Sequence, residues 1–400
     1  MNFKKKQISS LVCVAFAATF SVASAQTVRV GNQGDALSMD PHSLNESLQL
    51  SVTGNVYEPL VGRDSKLQLV PALATSWKQT SPTVWRFELR KGVKFHDGTP
   101  FTADDVLFTF ARASGEGSDM KSYTNDIKEV RKQGDHVIEI ETKAPFPILP
   151  DLISLVFVMS KKWAEDNNAT KPVDRRKGVE NVASFKANGT GPFRLRERQP
   201  NVKTTFQRNA GYWGKIEGNV LDVEYTPIGN DATRVAALMS GQVDVIEPVP
   251  LQDVARINGS GQAKVMQGPE LRTIFLGMDQ KRDELLYSNV KGKNPFKDKR
   301  VRQAFYQAID IHTIQRVVMR GASNPTALMV GPGITGFDAA MNTRLPYDVE
   351  AAKKLLADAG YANGFEVGMN CPNDRYVNDA GICQAVSANL AKIGIKVNLQ

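Results

Sequence analysis

Apolar and polar residues alternate through TVRVG (27–31), VWRFELR (84–90), HVIEIET (136–142), VKTTFQR (202–208) and VLDVEYTP (220–227). A period of two sends successive side chains to opposite faces, so each stretch predicts a half-buried strand. DVEAAKKLLADAGY has another rhythm, with Ala351, Leu355, Leu356 and Ala359 falling on one helical face and Gly360 ending it. Helices are also predicted for ESLQLSVTGNVYEPLVG, which runs into a turn at Glu58-Pro59, and for DATRVAALMSGQ, with Asp231 as N-cap and Gly241 at its end. KDKRVRQAFYQAIDIHTIQRVVMRG reads as one or two helices. VDVIE, LRTIFLGMDQ (271–280), FEVGMN and IKVNL read as strands, and a helix is expected from about Asn378 to Lys392.

The elements are not evenly mixed. Residues from about Lys66 to Ser184 are strand-rich and include the proline-rich APFPILPD, whereas GTGPFRL (189–195) leads into further strands and then into alternating helices and strands. That succession predicts a mixed α/β layer architecture, and 400 residues predict more than one domain. The last stretch, IGIKVNLQ, has the pattern of a buried parallel strand entered from a helix. With no further element after it, the expectation is that these residues are the front part of a longer protein.

Composition changes the picture first at the amino end. Lys4, Lys5 and Lys6 precede an apolar run from about Ile8 to Phe20 and then Ala23-Ser24-Ala25, the layout of a secretory signal peptide cleaved before Gln26. The run is too short to span a bilayer, and Cys13 lacks the small-residue context of a lipid attachment site. Removing the leader takes away three lysines and no acid, which lowers the formal charge from +8 to +5. The basic residues are scattered without an aromatic-interleaved stripe, so nucleic acid is not an expected partner. The mature chain is expected to be exported to the periplasm and not to span the membrane. Cys371 and Cys383 remain, an even count that an oxidising compartment permits to pair as a disulfide, with two buried thiols as the other reading.

Signatures of common chemistry are missing. GxSxG, HExxH, GxxxxGK[ST] and CxxC do not occur, and the GxGxxG at Gly331–Gly336 holds a proline and follows no strand, so it reads as a loop. His42, His96, His136 and His312 show no ligand spacing, and no metal or cofactor is expected. His96-Asp97 invites an acid–base reading, yet Asp97-Gly98-Thr99-Pro100 has the residues of a tight turn. Thr102 then stands at an N-cap position, with Asp104 and Asp105 in the first helical turn. An exported hydrolase using His96 is the competing enzymatic reading.

The stretch LVPALATSWKQTSPTVWRFELRKGVKFHDGTPFTADDVLFTFARA resembles the signature region of the extracytoplasmic solute-binding proteins of peptide ABC transporters, the dipeptide and oligopeptide permease type. GTGPFRL, RNAGYWG, FLGMDQ, FKDKRVRQAFYQAID, DVEAAKKLLADAGY and CQAVSANLAKIGIKVNL continue the likeness in order. The resemblance implies an α/β fold of two hinged lobes, the periplasmic-binding-protein type II (cluster C-like) arrangement, with an extra subdomain inserted in lobe one. Mapped here, lobe one would be 26–65 and 185–270, the subdomain 66–184, and lobe two 276–400, incomplete. It implies capture of a short peptide and delivery to the permease subunits of an ABC importer; other members of the fold take opines, metal chelates, haem or sugars.

A peptide has two charged ends and a row of amides, and the resemblance points to residues suited to them. Arg375 matches an arginine directed at the ligand carboxylate, a group that a guanidinium grips with two parallel bonds. Asn45 and Glu46 lie in a loop resembling one that faces the ligand backbone, with helix capping as the plain use of Asn45. Thr273, Phe275 and Met278 fall on the expected strand 271–280 beside the hinge. Thr273 and Met278 are the ligand candidates there, while Phe275 is expected in the core.

Overall fold

The computed structural model describes residues 26–400 except Pro269, Leu271 and Asp374, and for Arg176 the backbone alone. The expected leader, 1–25 with Cys13, lies outside the described residues, as does Leu271 at the head of the expected strand 271–280.

The chain opens on β1 (Gln26–Asn32), passes through helix Ser47–Thr53 and forms a hairpin of β2 (Val61–Arg63) and β3 (Leu69–Pro71). β4 (Ala74–Ser81), β5 (Val84–Leu89), β6 (Ile127–Lys132) and β7 (Val137–Thr142) then build an antiparallel sheet in the order β4-β5-β7-β6. The two-residue period decides its faces: Phe87, Leu89, Ile138 and Ile140 are buried, while Arg86, Glu88, Glu139 and Glu141 exchange charges on the other side. Helix Ala103–Ser114 closes the apolar face with Val106, Phe110 and Ala113. Its start follows the sequence: the Asp105 carboxylate accepts the Thr102 amide at 2.9 Å, satisfying a donor that no helical carbonyl reaches.

β8 (Phe193–Gln199), β9 (Lys203–Arg208), β10 (Val220–Pro227) and β11 (Val245–Glu247) return to β1 and make a five-stranded sheet in the order β11-β1-β10-β9-β8. β1 is parallel to both β10 and β11, so the C-terminal ends of these three strands share one edge of the sheet. Gly189 makes the return possible: a Cβ there would sit 2.0 Å from the Val56 carbonyl oxygen. Helix Asp231–Met239 joins β10 to β11. Its N-cap is Asn230, whose side chain accepts the Thr233 amide at 2.9 Å, one residue before the expected Asp231. Asp231 is already helical, and its carboxylate is taken by Arg234 at 2.6 Å.

A third apolar core lies beyond residue 280. Helix Lys299–Ala308, a second helical stretch over 311–318, and helices Val349–Asp358 and Asp379–Ala391 pack against β12 (Phe365–Met369) and β13 (Ile395–Leu399). Phe296 and Phe305 meet edge-on at 5.1 Å between ring centres, and Phe305 stacks on Phe365 at 6.1 Å. β12 and β13 run parallel, as expected, but IKVNL is not buried throughout. Ile395 is buried and Lys396 exposed, because helices cover only one face of this pair, and on the covered face burial fades from Ile395 through Val397 to the exposed Leu399 at the strand's end.

The strand expected over 271–280 does not form among its described residues. A strand needs a ladder partner, and the free edge of β12 is taken by Tyr287–Asn289, through Gly368 N–H to the Tyr287 carbonyl and Asn289 N–H to that of Glu366. Residue parity still sorts the segment: Leu276 and Met278 pack on the third core, while Phe275 is 63% exposed.

Candidate functional site

The shared C-terminal edge of β1 and β11 is where an open α/β sheet offers its strand-end loops to a ligand. Gln33, which follows β1, Pro248–Gln252, which follow β11, and Asp231 and Arg234 of the intervening helix form one wall of a gap. Tyr376, Val377 and Asn378, from the loop between β12 and helix Asp379–Ala391, form the other. The gap holds about 60 Å³, room for about two waters, so a larger ligand requires the walls to part.

Each wall is built stiffly. Arg234, its side chain wholly buried, donates to the carbonyls of Ile228 at 2.8 Å and Pro248 at 3.1 Å and to Asp231, tying the turn after β10 to the turn after β11. On the other wall Asp379 accepts the amides of Arg375 at 2.9 Å and Tyr376 at 3.0 Å. Asn378, in the left-handed region at φ 56°, sends its amide to the Val318 carbonyl at 2.8 Å. Cys371 and Cys383 are joined by a disulfide across Cα atoms 6.4 Å apart, closing the loop onto the helix. Two guanidinium groups lie over the Tyr376 ring, Arg272 at 4.8 Å and Arg375 at 5.4 Å.

The residues singled out from the sequence do not line this gap. Arg375 comes nearest, adjoining the wall residue Tyr376, whose ring its guanidinium approaches at 5.4 Å. Thr273 is outside the gap lining, its hydroxyl donating to the Met329 carbonyl at 3.2 Å. Met278 packs on the third core and Phe275 faces solvent, the reverse of the expectation, since the extended chain turns 276 and 278 inward and 275 outward. Asn45 and Glu46 are outside the gap lining. Asn45 accepts from the Tyr123 hydroxyl at 3.0 Å, and the N-cap position of helix Ser47–Thr53 belongs to Glu46, without a side-chain cap bond. Gln33, Asp231, Arg234 and Tyr376, which line the gap, were missed by sequence reasoning. The available signal was positional: residues directly after parallel strands, and the tyrosine beside Arg375.

The buried polar clusters elsewhere hold structure. Arg112 pairs with Asp40 at 2.6 Å and with His42 Nδ1 at 2.9 Å, all three buried. Burial disfavours charge on Asp40, but Arg112 beside it holds the carboxyl below its ordinary range. Glu58 accepts from Thr190, Tyr212 and Trp213 at 2.7–2.8 Å, yet burial outweighs these bonds and raises its pKa. His96 and Asp97 form the expected turn: His96 Nε2 bonds the Gly191 carbonyl at 3.0 Å, and Asp97 takes the Thr99 and Asn188 donors. Burial lowers the His96 pKa to about 4. Asp97 and His96 Nε2 thus bond the chain itself, while His96 Nδ1 is buried with no hydrogen-bond partner among the described residues. Among the described residues no group of three or more His, Cys, Asp or Glu is arranged to hold a metal ion, and no helix is long and apolar enough to cross a membrane.

Comparison with known proteins adds the following. The family model for bacterial extracellular solute-binding proteins, family 5 (middle), matches residues 68–400. The glutathione-binding protein GsiB of Shigella dysenteriae serotype 1 is 26% identical over 379 residues, covering 94% of this chain and 69% of that protein. Among solved structures, the periplasmic binding protein AgaA of A. tumefacien R10, in complex with agropinic acid, superposes with a TM-score of 0.74 at 26% identity, covering 94% of this chain and 72% of that one. The periplasmic binding protein DppA of Helicobacter pylori, associated with an ABC transporter and in complex with the peptide STSA, gives 0.72 at 27% identity, covering 94% and 73%.

Proposed function

Since the chain belongs to the bacterial extracellular solute-binding proteins of family 5, we propose that it is the substrate-binding component of an ABC importer, capturing short peptides between two lobes. The fold is the two-lobed type II arrangement of that family. One observation carries the reading: the match over 68–400 contains both the Pro248–Gln252 wall and the facing Tyr376–Asn378 wall. The relative in complex with the peptide STSA supports a peptide as ligand.

In this reading lobe one is 26–65 with 185–270, the inserted subdomain is 66–184, and lobe two begins near 276. The leader is cleaved after Ala25 and the protein works in the periplasm. Arg375 takes the ligand's carboxylate, and the ligand leaves chemically unchanged for the permease subunits. Closure is driven by the difference in affinity between the closed and open forms, nothing else.

The test is titration of full-length protein with a panel of dipeptides, read by melting temperature and by mass spectrometry of the ligand. A ligand that binds only the native state raises stability by RT ln(1 + [L]/Kd). A rise with the peptide recovered intact is expected; peptide hydrolysis abolished by His96→Ala would replace this reading with an enzymatic one. The likeness to AgaA, in complex with agropinic acid, favours one alternative, a non-peptide solute in the same cleft. Failure of every peptide beside a response to an opine would establish it.

A further inference from the structure

Residues 321–348 carry no helix or strand, yet the base of this long loop is tied down. Asn342 accepts from the Thr326 hydroxyl at 2.8 Å and the Ala327 amide at 2.7 Å. Arg344 donates to the Thr326 carbonyl at 3.1 Å, with its guanidinium 4.0 Å from the centre of the Tyr306 ring on helix Lys299–Ala308. The base is thereby fixed to the third core. The tip is the Gly331–Gly336 run, curled by the Ile334 amide on the Gly331 carbonyl at 3.3 Å, and it reaches across to residues earlier in the chain. There the Thr335 hydroxyl donates to Asp151 Oδ2 at 2.9 Å. A Cβ on Gly333 would stand 3.5 Å from Gln68 Nε2 and 3.8 Å from the Lys66 carbonyl oxygen, in the turn between β2 and β3. Asp151 is prepared for this contact: Arg63, which also grips the Leu67 carbonyl at 2.7 Å, holds Oδ1 at 2.9 Å and leaves Oδ2 to the hydroxyl.

We propose that this loop is a closure latch: its tip docks on Asp151 when the lobes are shut and leaves it when they part. The inference rests on the lobe division proposed above, with 66–184 as the inserted subdomain, and goes beyond it by naming what holds the shut form. With the gap narrowed to about 60 Å³, the docked tip belongs to the shut arrangement. A bond made only in that form enlarges the binding-competent fraction, and so tightens the apparent affinity without touching the solute. Asp151 supplies a charged acceptor, the stronger class of hydrogen bond, while Thr335 is exposed, so opening exchanges its bond for one to water at small cost. Thr335 is a positioning residue, acting through lobe closure alone.

The experiment places spin labels on Lys78→Cys in β4 and Lys354→Cys in helix Val349–Asp358, both exposed, in full-length mature protein. The bridged Cys371 and Cys383 leave the two introduced thiols to the labels, and pulsed electron resonance reads the distance between them. Without ligand, Thr335→Val should move the open-to-shut ratio about three- to tenfold toward open. Thr335→Ser, which keeps the hydroxyl, should restore the original distribution. An unchanged distribution in Thr335→Val overturns the latch, and an equal shift in Thr335→Ser overturns it too, since the lost methyl would then be the cause. If the dipeptide panel shortens the distance in both unaltered protein and an unshifted Thr335→Val, the latch falls and the binding reading stands. If Thr335→Val shifts the ratio and no dipeptide does, the latch stands and the peptide reading is weakened. One fixed distance, moved by neither the substitution nor any dipeptide, overturns both.

Discussion

His42 is held neutral by what surrounds it. Arg112 can only donate, so Nδ1 of His42 must accept at 2.9 Å, and its Nε2–H donates to the Phe157 carbonyl at 2.9 Å. Burial, reinforced by Arg112, lowers its pKa to about 4, against the pull of Asp40. A histidine whose folded pKa lies below the unfolded value of 6.5 contributes stability that is complete above that pH and is lost as pH falls towards 4. The loss for His42 is about 3 kcal/mol at most, and His96 adds to it in the same window. Glu58 and Asp105, both raised by burial, work in the opposite sense as they protonate. Urea midpoints should therefore fall between pH 6.5 and 4, and His42→Gln should flatten the slope; a level profile for the unaltered protein would refute this. Arg112→Met should cost about 3–5 kcal/mol, measured by the same titration at pH 7, because it leaves Asp40 buried without its partner. The His96 turn was legible because its residues adjoin in sequence. The Asp40–His42–Arg112 cluster was not, since helix Ala103–Ser114 must first fold over the loop at 40–42.

Elements were read best where one face is buried and the other wet. β5, β7, β9 and β10 lie where alternation placed them, and helix Asp379–Ala391 is flanked by the expected Asn378 and Lys392. Alternation over 271–280 was equally clear, yet a strand is a property of two chains side by side, and the β12 edge was already occupied. Caps slipped by one residue at Asn230 because two neighbouring polar side chains compete for one position. Two element-level results are expected. Gly364→Ala should destabilise the β12–β13 pair severely, seen as a large drop in melting temperature, since φ is +68° and the added carbon would lie 1.9 Å from the Gly394 carbonyl oxygen. Mass spectrometry of an unreduced digest should find Cys371 and Cys383 linked to each other, and Cys371→Ser with Cys383→Ser should cost about 3 kcal/mol, the scale for so short a loop.

At the scale of the molecule, the two-lobed architecture came from family resemblance and the mixed α/β character from helix–strand order, whereas neither supplied the cleft lining. One wall gathers Gln33, Asp231, Arg234 and Pro248–Gln252, which the parallel pairing of β1 with β10 and β11 brings together, and the other comes from 376–378, in the loop after β12. In the proposed function, the walls of this gap of about 60 Å³ part to admit a ligand. Small-angle scattering should show a radius of gyration that responds to a saturating ligand, and His96→Ala should leave that response intact.

The five-stranded sheet sets a timetable for the newborn polypeptide. β1 is made first, yet its earliest neighbour begins at Val220, and Arg29 meets Asp244 across 215 positions. At ribosomal speeds of about 5–20 residues per second, roughly 10–40 s pass before that neighbour exists. Meanwhile the β4–β7 sheet, whose strands lie close together in sequence, has every partner it needs. The leading end thus stays a loose thread, free for an export motor or chaperone to grip, until the late strands arrive to weave it in.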